Sequence, residues 1–248
     1  MILVNEFGQV LGEELRGWYE RSLPEKKVLV GKYCKLEPLD FERHGKALFD
    51  VLCGVADKTL WTYLPLGPFD KQGDFEQGVK GFMSTMPQVT FAVIDIITGS
   101  PVGLVALMRP DTKNGSIEIG LVTFSRVLQR TSMSTEVHFL LLEYVFDSLK
   151  YRRCEWRCNS LNEPSARAAE RLGFQYEGLF RQAAVAKGCN RDTKWFSILD
   201  VEWPELKESF EIWLSEDNFN CGQQRKKLSE IRQGLKMDSS NGLSAIQF

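Results

Sequence analysis

The chain has 248 residues, a length that suits one large domain with extensions or two small domains. Hydrophobic residues make up 43% of it and charged residues 26%, and the formal net charge is −2, so no global positive field favours binding to nucleic acid or to an anionic membrane. Two histidines, and six cysteines without metal-binding spacing, disfavour a zinc centre or a Ser-His-Asp site, and we expect no metal cofactor.

The N-terminal segment, residues 1–27, is predicted to be an arm that lies over the domain. Its apolar start ends at Asn5 and has no positively charged region, which disfavours a secretory signal. Nowhere does the chain approach the roughly 20 consecutive apolar residues that a membrane-spanning helix needs. We therefore expect a cytoplasmic protein with reduced cysteines and no membrane contact.

The first regular elements are a strand and two helices. Residues 28–39 predict the strand, and a helix follows from Asp40, whose side chain is a suitable N-cap. The stretch LWTYLPLGPF at 60–69 is aromatic and rich in proline and glycine, so it predicts neither helix nor strand. The second helix is predicted over 74–86 and ends before Pro87.

Three β-rich runs follow at 89–96, 101–109 and 116–124. The turn TGS joins the first two, and DTKNG, with the pair Asn114-Gly115, joins the last two. Because turns of this length connect antiparallel strands, the three runs predict an antiparallel meander.

An amphipathic helix follows the segment LQRTSMST. Apolar residues recur at helical spacing over 137–149 and predict a helix packed on the sheet. Its start at Ser132–Thr135 leaves four backbone N–H groups without intrahelical partners, at the positive end of the helix dipole. Spacing alone leaves two interpretations open. Either Ser132 or Ser134 only caps the helix, with Glu136 adding a favourable charge in the first turn, or the N–H groups hold an anion such as phosphate.

The remaining pieces are, in chain order, a strand at 151–159, a short helix at 162–174, strand candidates at 180–188 and 193–201, a helical region at 204–232 and a loose tail at 234–248. The order of strands and helices describes one α/β domain. In it, the long helix leads to a strand beside the meander.

Several motifs occur together in a fixed order. They are IEIG at 117–120, the loop from Gln129 to Ser134, TEV at 135–137, NEPS at 162–165, LGF at 172–174 and EG at 177–178. In this order they resemble the GNAT superfamily of acyl-CoA-dependent N-acetyltransferases, in particular the RimJ/RimL-like branch of ribosomal-protein N-acetyltransferases. The resemblance implies a single GNAT-type α/β domain over 28–205, with a mixed, mostly antiparallel twisted sheet flanked by helices. The N-terminal arm and a C-terminal helical extension and tail over 206–248 complete the chain.

The resemblance implies acetyl-CoA as cosubstrate, with its pyrophosphate at the start of the long helix. The cofactor-binding candidates that it indicates are Gln129, Arg130, Thr131, Ser132, Met133, Ser134, Thr135 and Asn162. Ser132 and Ser134 stand where the superfamily usually has small residues, glycine first, which let the backbone approach a pyrophosphate without a Cβ. Serine is the next least obstructive choice and adds a hydroxyl donor. We expect the phosphate site to be kept, with a charge-assisted contact from Arg130.

Glu118 and Ser165 are the catalytic candidates. Acetyl transfer to an amine needs a base for the ammonium and an acid for the leaving thiolate. Glu118 alternates with Ile117 and Ile119, so its carboxylate lies on the other face of the strand. It is either a base whose pKa partial burial raises or a solvated strand residue. Asn162 and Ser165 match positions where the superfamily contacts pantetheine and, in some members, protonates the thiolate. Both also suit the cap and first turn of the short helix.

The sequence gives the least information about the part of the site that would bind the amine acceptor. Trp61 and Tyr63 are the substrate-binding candidates and either line an acceptor pocket or anchor a long loop; the usual apolar form of binding clefts favours the pocket. The acceptor is a protein N-terminus, a lysine or a small amine. The alternative function is a non-catalytic CoA-binding sensor or interaction module, which the missing loop glycines favour. No direct contact with nucleic acid is expected, and monomer and homodimer both stay open.

Overall fold

The structure is a computed structural model that describes residues 3–53, 58–220 and 223–244. The strands of its main sheet are β1 (Leu29–Val30), β2 (Cys34–Pro38), β3 (Gln88–Asp95), β4 (Pro101–Asp111), β5 (Ser116–Phe124), β6 (Arg153–Asn159), β7 (Gln175–Ala186) and β8 (Cys189–Leu199). Within the described residues these form one eight-stranded sheet in the order β1-β2-β3-β4-β5-β6-β8-β7. β5 and β6 run parallel, and the other neighbouring pairs are antiparallel. The predicted meander is confirmed as β3, β4 and β5.

Helices cover both faces of this sheet. They are α1 (Phe41–Leu52), α2 (Gln72–Ser84), α3 (Ser132–Glu143), α4 (Glu163–Leu172), α5 (Trp203–Leu214) and α6 (Leu228–Ser244). α3 continues into a π-helical turn, Tyr144–Ser148, and the short strands β9 (Phe219–Asn220) and β10 (Gln223–Gln224) lie between α5 and α6. The predicted class, a mixed and mostly antiparallel sheet flanked by helices, is confirmed. Among the helices described, none is both long and apolar enough to cross a membrane.

Of three hydrophobic clusters among the described residues, the two main ones hold most of the helices on the sheet. The larger cluster contains Phe91 from β3 and Leu141 from α3. The smaller one contains the next residue of β3, Ala92, together with Trp61 and Phe75. Because successive side chains of a strand point to opposite faces, the two clusters lie on opposite sides of the sheet. The sheet is therefore the middle layer of a three-layer domain.

β5 and β6 separate towards one end. Their register joins Ser116–Glu118 to Arg153–Glu155 and extends no further. In β5 the register against β4 shifts between Gly120 and Thr123, and Leu121 has a φ of 50°. A bulge of this kind bends the strand that carries it. The bend leaves a gap between two parallel neighbours, and this gap positions the candidate site.

The start of α3 differs in detail from the sequence prediction. Its N-cap is Thr131, whose Oγ1 accepts a hydrogen bond from the Ser134 backbone N–H at 3.2 Å, and not Ser132 or Ser134. Ser134 Oγ instead donates to the Thr131 carbonyl at 2.7 Å. Glu136 is also not a surface charge of the first turn. It lies in the second turn, buried, and accepts the backbone N–H groups of residues 32–34 at 2.6, 2.7 and 2.8 Å, so it fixes the β1–β2 loop.

The C-terminal region also differs from the prediction. The helical region expected over 204–232 is interrupted, because α5 ends at Leu214 and α6 begins only at Leu228. α6 then continues to Ser244, where a loose tail was expected from residue 234 onwards. Leu228 and Ile231 are buried against the larger cluster, a tertiary contact that stabilises a helix of weak local propensity. Residues 245–248 of the predicted tail lie outside the described part.

The N-terminal arm contacts the turn between β4 and β5. Trp18 Nε1 donates to the Lys113 carbonyl at 3.0 Å, and the Tyr151 hydroxyl donates to the Ser22 carbonyl at 3.0 Å. Residues 1 and 2 lie outside the described residues, and boundaries near 27 and 205 stay predictions. The described part of the arm lines none of the cavities discussed below.

Candidate active site

Two cavities meet in the gap between β5 and β6. The helix-side cavity, about 680 Å³, lies between β5 and the N-terminal ends of α3 and α4. The hairpin-side cavity, about 410 Å³, lies between β5, β6 and the β7–β8 hairpin. The residues that line both are Tyr63, Leu64, Val122, Trp156, Asn162 and Ser165. A ligand that fills the gap can therefore contact both cavities.

The helix-side cavity is positively charged. Its described lining includes Arg126, Arg130 and Arg171 and no aspartate or glutamate. Arg171 donates to Thr135 Oγ1 at 2.9 Å and lies over the ring of Trp213 at 5.1 Å. Burial is the main cause that lowers the pKa of Arg171, so its cation is partly dehydrated and lacks a compensating anion. This lining suits a ligand with several negative charges.

The N-terminus of α3 faces the same cavity through Arg130 and Ser134. The backbone N–H groups of Thr131, Ser132 and Met133 donate to no residue in the described part of the chain. Unpaired N–H groups in the first turn, together with the helix dipole, favour phosphate binding. The opening segment of α3 thus supplies both a capped helix and a set of available donors.

The predicted cofactor-binding residues do not all face a cavity. Those that line the helix-side cavity are Gln129, Arg130, Ser134 and Asn162. Thr131 and Ser132 line a neighbouring cavity of about 670 Å³. The side chains of Met133 and Thr135 point inwards: Met133 packs against the larger cluster, and Thr135 is 1% exposed. Both stay predictions, and a ligand would reach Met133 only through its backbone N–H, because both side chains belong to the domain interior.

The neighbouring cavity extends the helix-side cavity towards the C-terminal region. It shares Arg130, Ser134 and Arg171 with that cavity. Its far wall is formed by Trp213, Phe219 and Gln224, which follow the catalytic-domain motifs in sequence. A long donor molecule would thus find a continuous surface from the gap to the C-terminal extension.

Glu118 lies in the hairpin-side cavity and is 5% exposed. Its Oε2 accepts a hydrogen bond from Arg109 Nη1 at 2.6 Å and lies 3.2 Å from Arg157 Nε. Burial raises the pKa of the Glu118 carboxyl, and the ion pairs with Arg157 and Arg109 offset this only in part. A Cβ at Gly120 would lie 2.5 Å from Met108 Sδ and 3.3 Å from Glu118 Oε1, so the glycine leaves room for the Met108 side chain next to this carboxylate. The geometry suits a carboxylate that accepts a proton at Oε1.

Asn162 and Ser165 lie on the wall that both cavities share. Asn162 is the N-cap of α4, as predicted, and its Oδ1 accepts the Ser165 backbone N–H at 3.2 Å. Trp156 Nε1 donates to Ser165 Oγ at 3.0 Å. Since the hydroxyl oxygen already accepts one hydrogen bond, its own proton can be directed to another acceptor. Ser165 is therefore placed to donate a proton at the junction of the cavities.

Trp61 and Tyr63 have different positions. Trp61 is fully buried, donates from Nε1 to the Leu52 carbonyl at 2.9 Å and packs edge-on against Phe69 at 5.1 Å and Phe75 at 6.1 Å. Tyr63 lines both cavities. Of the two alternatives for Trp61, the structure therefore favours a core residue that supports the loop over a pocket residue, while Tyr63 stays a candidate substrate-binding residue.

Several charged residues of the site carry no local sequence signal. Arg109 ends β4, Arg157 lies on β6 and Arg191 lies on β8, and all three line the hairpin-side cavity. The alternation of β6 places Arg157 opposite the core face, but only the sheet order brings it beside Arg109 and Arg191. Likewise, helix spacing predicts Arg171 only as an exposed basic residue and not as part of the helix-side cavity.

Metal-ligating and redox-active side chains are not clustered in the described part of the chain. Among the described residues, no group of three or more His, Cys, Asp and Glu side chains could hold a metal ion. The free cysteines are Cys34, Cys53, Cys154, Cys158 and Cys189, of which only Cys189 is exposed. Cys221 lies outside the described residues. The expected packing of Cys154 and Cys158 in the core is confirmed.

Comparison with known proteins gives consistent results. The family model described as an acetyltransferase (GNAT) domain matches residues 36–175. An uncharacterized N-acetyltransferase, p20 of Bacillus licheniformis, is 30% identical over 158 residues, which are 62% of this chain and 88% of that protein. YdaF of Bacillus subtilis (strain 168), named provisionally as a ribosomal N-acetyltransferase, is 30% identical over 105 residues, 42% of this chain and 57% of that protein.

A solved structure extends the likeness to most of the chain. It is the crystal structure of a GCN5-related N-acetyltransferase from Brucella melitensis, with 46% sequence identity and a TM-score of 0.85, covering 88% of this chain and 100% of that one. The family match over residues 36–175 includes β5, β6, α3 and α4. The chain therefore belongs to the GNAT acetyltransferase family, with a relative named for ribosomal N-acetylation.

Proposed function

We propose that this protein transfers an acetyl group from acetyl-CoA to a primary amine, which is a protein N-terminus, a lysine or a small amine. The observation that carries the proposal is the helix-side cavity. It combines the first turn of α3 with Arg126, Arg130 and Arg171 and has no carboxylate in its described lining. A pyrophosphate is the ligand that such a set of donors and cations suits best. Family membership supports the same donor.

The pantetheine arm of the donor would follow the gap between β5 and β6. Leu121 and Val122 lie outside the register of β5 with β4, and both line the hairpin-side cavity. The Leu121 carbonyl accepts from Thr123 Oγ1 at 3.1 Å, and the backbone N–H groups of the two residues would hold the arm and polarise the thioester carbonyl. Asn162 and Ser165 line both cavities and would contact the arm from the other side. The thioester would then lie where the two cavities meet.

The amine would approach from the hairpin-side cavity. Glu118 takes a proton from the ammonium, and the lone pair released on nitrogen attacks the thioester carbonyl carbon. The C–N bond forms, the C–S bond breaks, and the thiolate of CoA leaves with the bonding electrons. Ser165 or water protonates the thiolate, and one proton is released to solvent overall. Glu118 is suited to this role because burial raises the pKa of its carboxyl.

The test is calorimetric titration of the full chain with acetyl-CoA, beside the variants Ser134→Asp and Gln72→Asp. Ser134 lines the helix-side cavity, and a carboxylate there would repel a pyrophosphate while remaining favourable for the helix N-terminus. We expect the wild type to bind and Ser134→Asp to bind at least about tenfold more weakly with an unchanged melting temperature. Gln72→Asp places the same charge at the exposed start of α2 and should bind as the wild type does.

The same titration separates the rival function. A CoA-binding sensor would bind acetyl-CoA through the same residues but release no CoA thiol with any amine. Absence of binding by the wild type would contradict both functions. Equal binding by Ser134→Asp would place the phosphates elsewhere.

A further inference from the structure

The hairpin-side cavity contains more positive than negative charge. Arg109, Arg157 and Arg191 line it, and Glu118 is the only carboxylate in its described lining. Arg109 and Arg157 both pair with Glu118. Arg157 also pairs with Glu155 at 2.5 Å. Two of the three arginines are therefore compensated within the protein.

Arg191 is the uncompensated one. It is half-buried on β8, where its backbone pairs with Ala184 of β7, and its side chain makes no direct hydrogen bond or ion pair with any described residue. The neighbouring carboxylate, Asp192, is engaged elsewhere, because it accepts the Gln182 backbone N–H at 2.7 Å and Asn190 Nδ2 at 3.0 Å. Burial lowers the pKa of Arg191, because its guanidinium loses water and the nearby charge of Glu118, which makes no direct ion pair with it, offsets this only in part. A cation held in this way favours an anionic ligand.

Apolar side chains form much of the remaining wall, beside the uncharged polar residues Asn159, Asn162, Ser165 and Thr193. Leu64, Phe82, Met108 and Phe180 line the cavity, and the ring of Phe180 stacks on Trp195 at 4.6 Å. A polycation is a poor fit, because its second ammonium would meet the unpaired charge of Arg191 at low dielectric. A small molecule with one ammonium, one anionic group and an apolar part fits the distribution of charge.

Resting on the proposed function, we propose that the acceptor is a small primary amine that also carries a carboxylate, an α-amino acid. Its ammonium lies at Glu118 and its carboxylate at Arg191, which binds carboxylates through paired N–H donors. The apolar wall receives the side chain. Arg191 is thus a specificity-determining residue, and the reaction yields an N-acetyl amino acid with release of CoA.

The experiment measures release of CoA thiol by the full chain at saturating acetyl-CoA. The acceptors are the L-amino acids, each beside its α-carboxamide, which keeps the amine and removes the negative charge. Spermidine and 2-aminoethyl phosphate are added as a polycation and a phosphate-bearing amine. We expect at least one amino acid to be acetylated with a KM about tenfold or more below that of its carboxamide.

The variant Arg191→Met is compared with Arg181→Met, which changes an exposed arginine of β7 outside the cavities described. Arg191→Met should raise the KM of the amino acid about tenfold or more, leave kcat within about threefold and leave the KM of the carboxamide unchanged. Arg181→Met should change none of these. Arg191→Lys keeps the charge without the paired donors and should fall between the two.

Each other result overturns the inference. Equal KM values for acid and carboxamide, or preference for spermidine or for the phosphate-bearing amine, would show that Arg191 does not select a carboxylate. Acetylation of none of the amino acids by a protein that binds acetyl-CoA would overturn the acceptor class and leave the proposed donor intact. Absence of acetyl-CoA binding would instead remove the proposed function itself.

Discussion

The two cavities beside the β5–β6 gap both contain three arginines but differ in their carboxylates. The described lining of the helix-side cavity has none, whereas Glu118 lies at the centre of the hairpin-side cavity. Two arginines of the hairpin-side cavity are committed to that carboxylate. In the helix-side cavity, Arg171 has only a hydroxyl and an aromatic ring as described partners. In the proposed function, similar positive charge would therefore serve two purposes: to hold an anion on one side and to place a proton acceptor on the other.

Burial determines how this difference in charge affects the pKa of Glu118. A carboxylate beside two arginines in water would have a lowered pKa, yet the Glu118 carboxyl has a raised pKa because desolvation outweighs both ion pairs. The proton affinity of the site is thus set by the depth of Glu118 in the sheet. An equally buried carboxylate in the helix-side cavity would repel the phosphates of the proposed donor. Donor binding and proton acceptance would therefore need separate cavities.

The largest effect is expected from Glu118→Gln. The amide keeps the shape of the side chain but cannot take a proton, so kcat should fall about 100-fold or more while the dissociation constant of acetyl-CoA stays unchanged. In the wild type, kcat/KM should rise with pH through the raised pKa of Glu118, because the base acts only when it is deprotonated. Steady-state kinetics across pH measure both.

Glu155→Gln is the matched control for this prediction. Glu155 pairs with Arg153 at 2.9 Å and with Arg157 at 2.5 Å but does not line the hairpin-side cavity. If Glu118 only balances arginine charge, both variants should lose activity to a similar extent. A much larger loss in Glu118→Gln would assign the proton transfer to that residue.

Mutations can distinguish a residue that lines the wall shared by the cavities from a core residue that supports this wall. Trp61→Ala removes a fully buried indole and its hydrogen bond and should lower the free energy of unfolding by about 3–5 kcal/mol. Tyr63→Ala should lower it by about 1 kcal/mol or less and should instead raise the KM of acetyl-CoA or of the acceptor. Urea unfolding and steady-state kinetics test the pair. Equal loss of stability would mean that Tyr63 is also a core residue.

His138, which lines the helix-side cavity, provides a test of how burial links protein stability to pH. Burial lowers the pKa of its imidazole from 6.5 to about 4, so the native protein keeps it neutral while the unfolded chain protonates it below pH 6.5. The free energy of unfolding should fall as the pH drops through this window, by about 3 kcal/mol in total. His138→Phe keeps a ring between Phe124 and Trp156 and should remove this part of the pH dependence. An unchanged slope in urea titrations at pH 4 to 7 would assign it to other groups.

The sequence predicted features that depend on neighbouring residues better than features that depend on residues far apart in the chain. The cap at Asn162 and the orientation of Glu118 depend on spacing of a few residues, and both agree with the structure. The cap of α3 was displaced by one residue, since the turn at Arg130, with its φ of 61°, presents Thr131 rather than Ser132. Such a shift depends on backbone geometry that no residue pattern specifies.

The parts that sequence reasoning missed depend on the sheet order. Arg109, Arg157 and Arg191 come from three strands, and only the topology brings them into one cavity. The different burial of Trp61 and Tyr63 is equally tertiary, because both belong to one aromatic stretch. The sequence contains each of these arginines but gives no sign that they share one cavity.

The smallest effect is expected from Ser165→Ala, at the junction of the cavities. Loss of the hydroxyl leaves Trp156 Nε1 without its acceptor and should lower the free energy of unfolding by about 1–3 kcal/mol. The effect on kcat should be less than about tenfold, because a thiol with an ordinary pKa near 8.5 leaves readily as a thiolate and water can protonate it.

The variant Ser165→Thr keeps the hydroxyl and is the control. If Ser165→Ala loses kcat about 100-fold and Ser165→Thr does not, the hydroxyl is a required acid and proton delivery limits the reaction. If both variants keep most of the activity, catalysis is concentrated in Glu118. The two cavities would then contribute unequally to the chemistry: the helix-side cavity by binding the donor, and the hairpin-side cavity by accepting the proton that makes the amine a nucleophile.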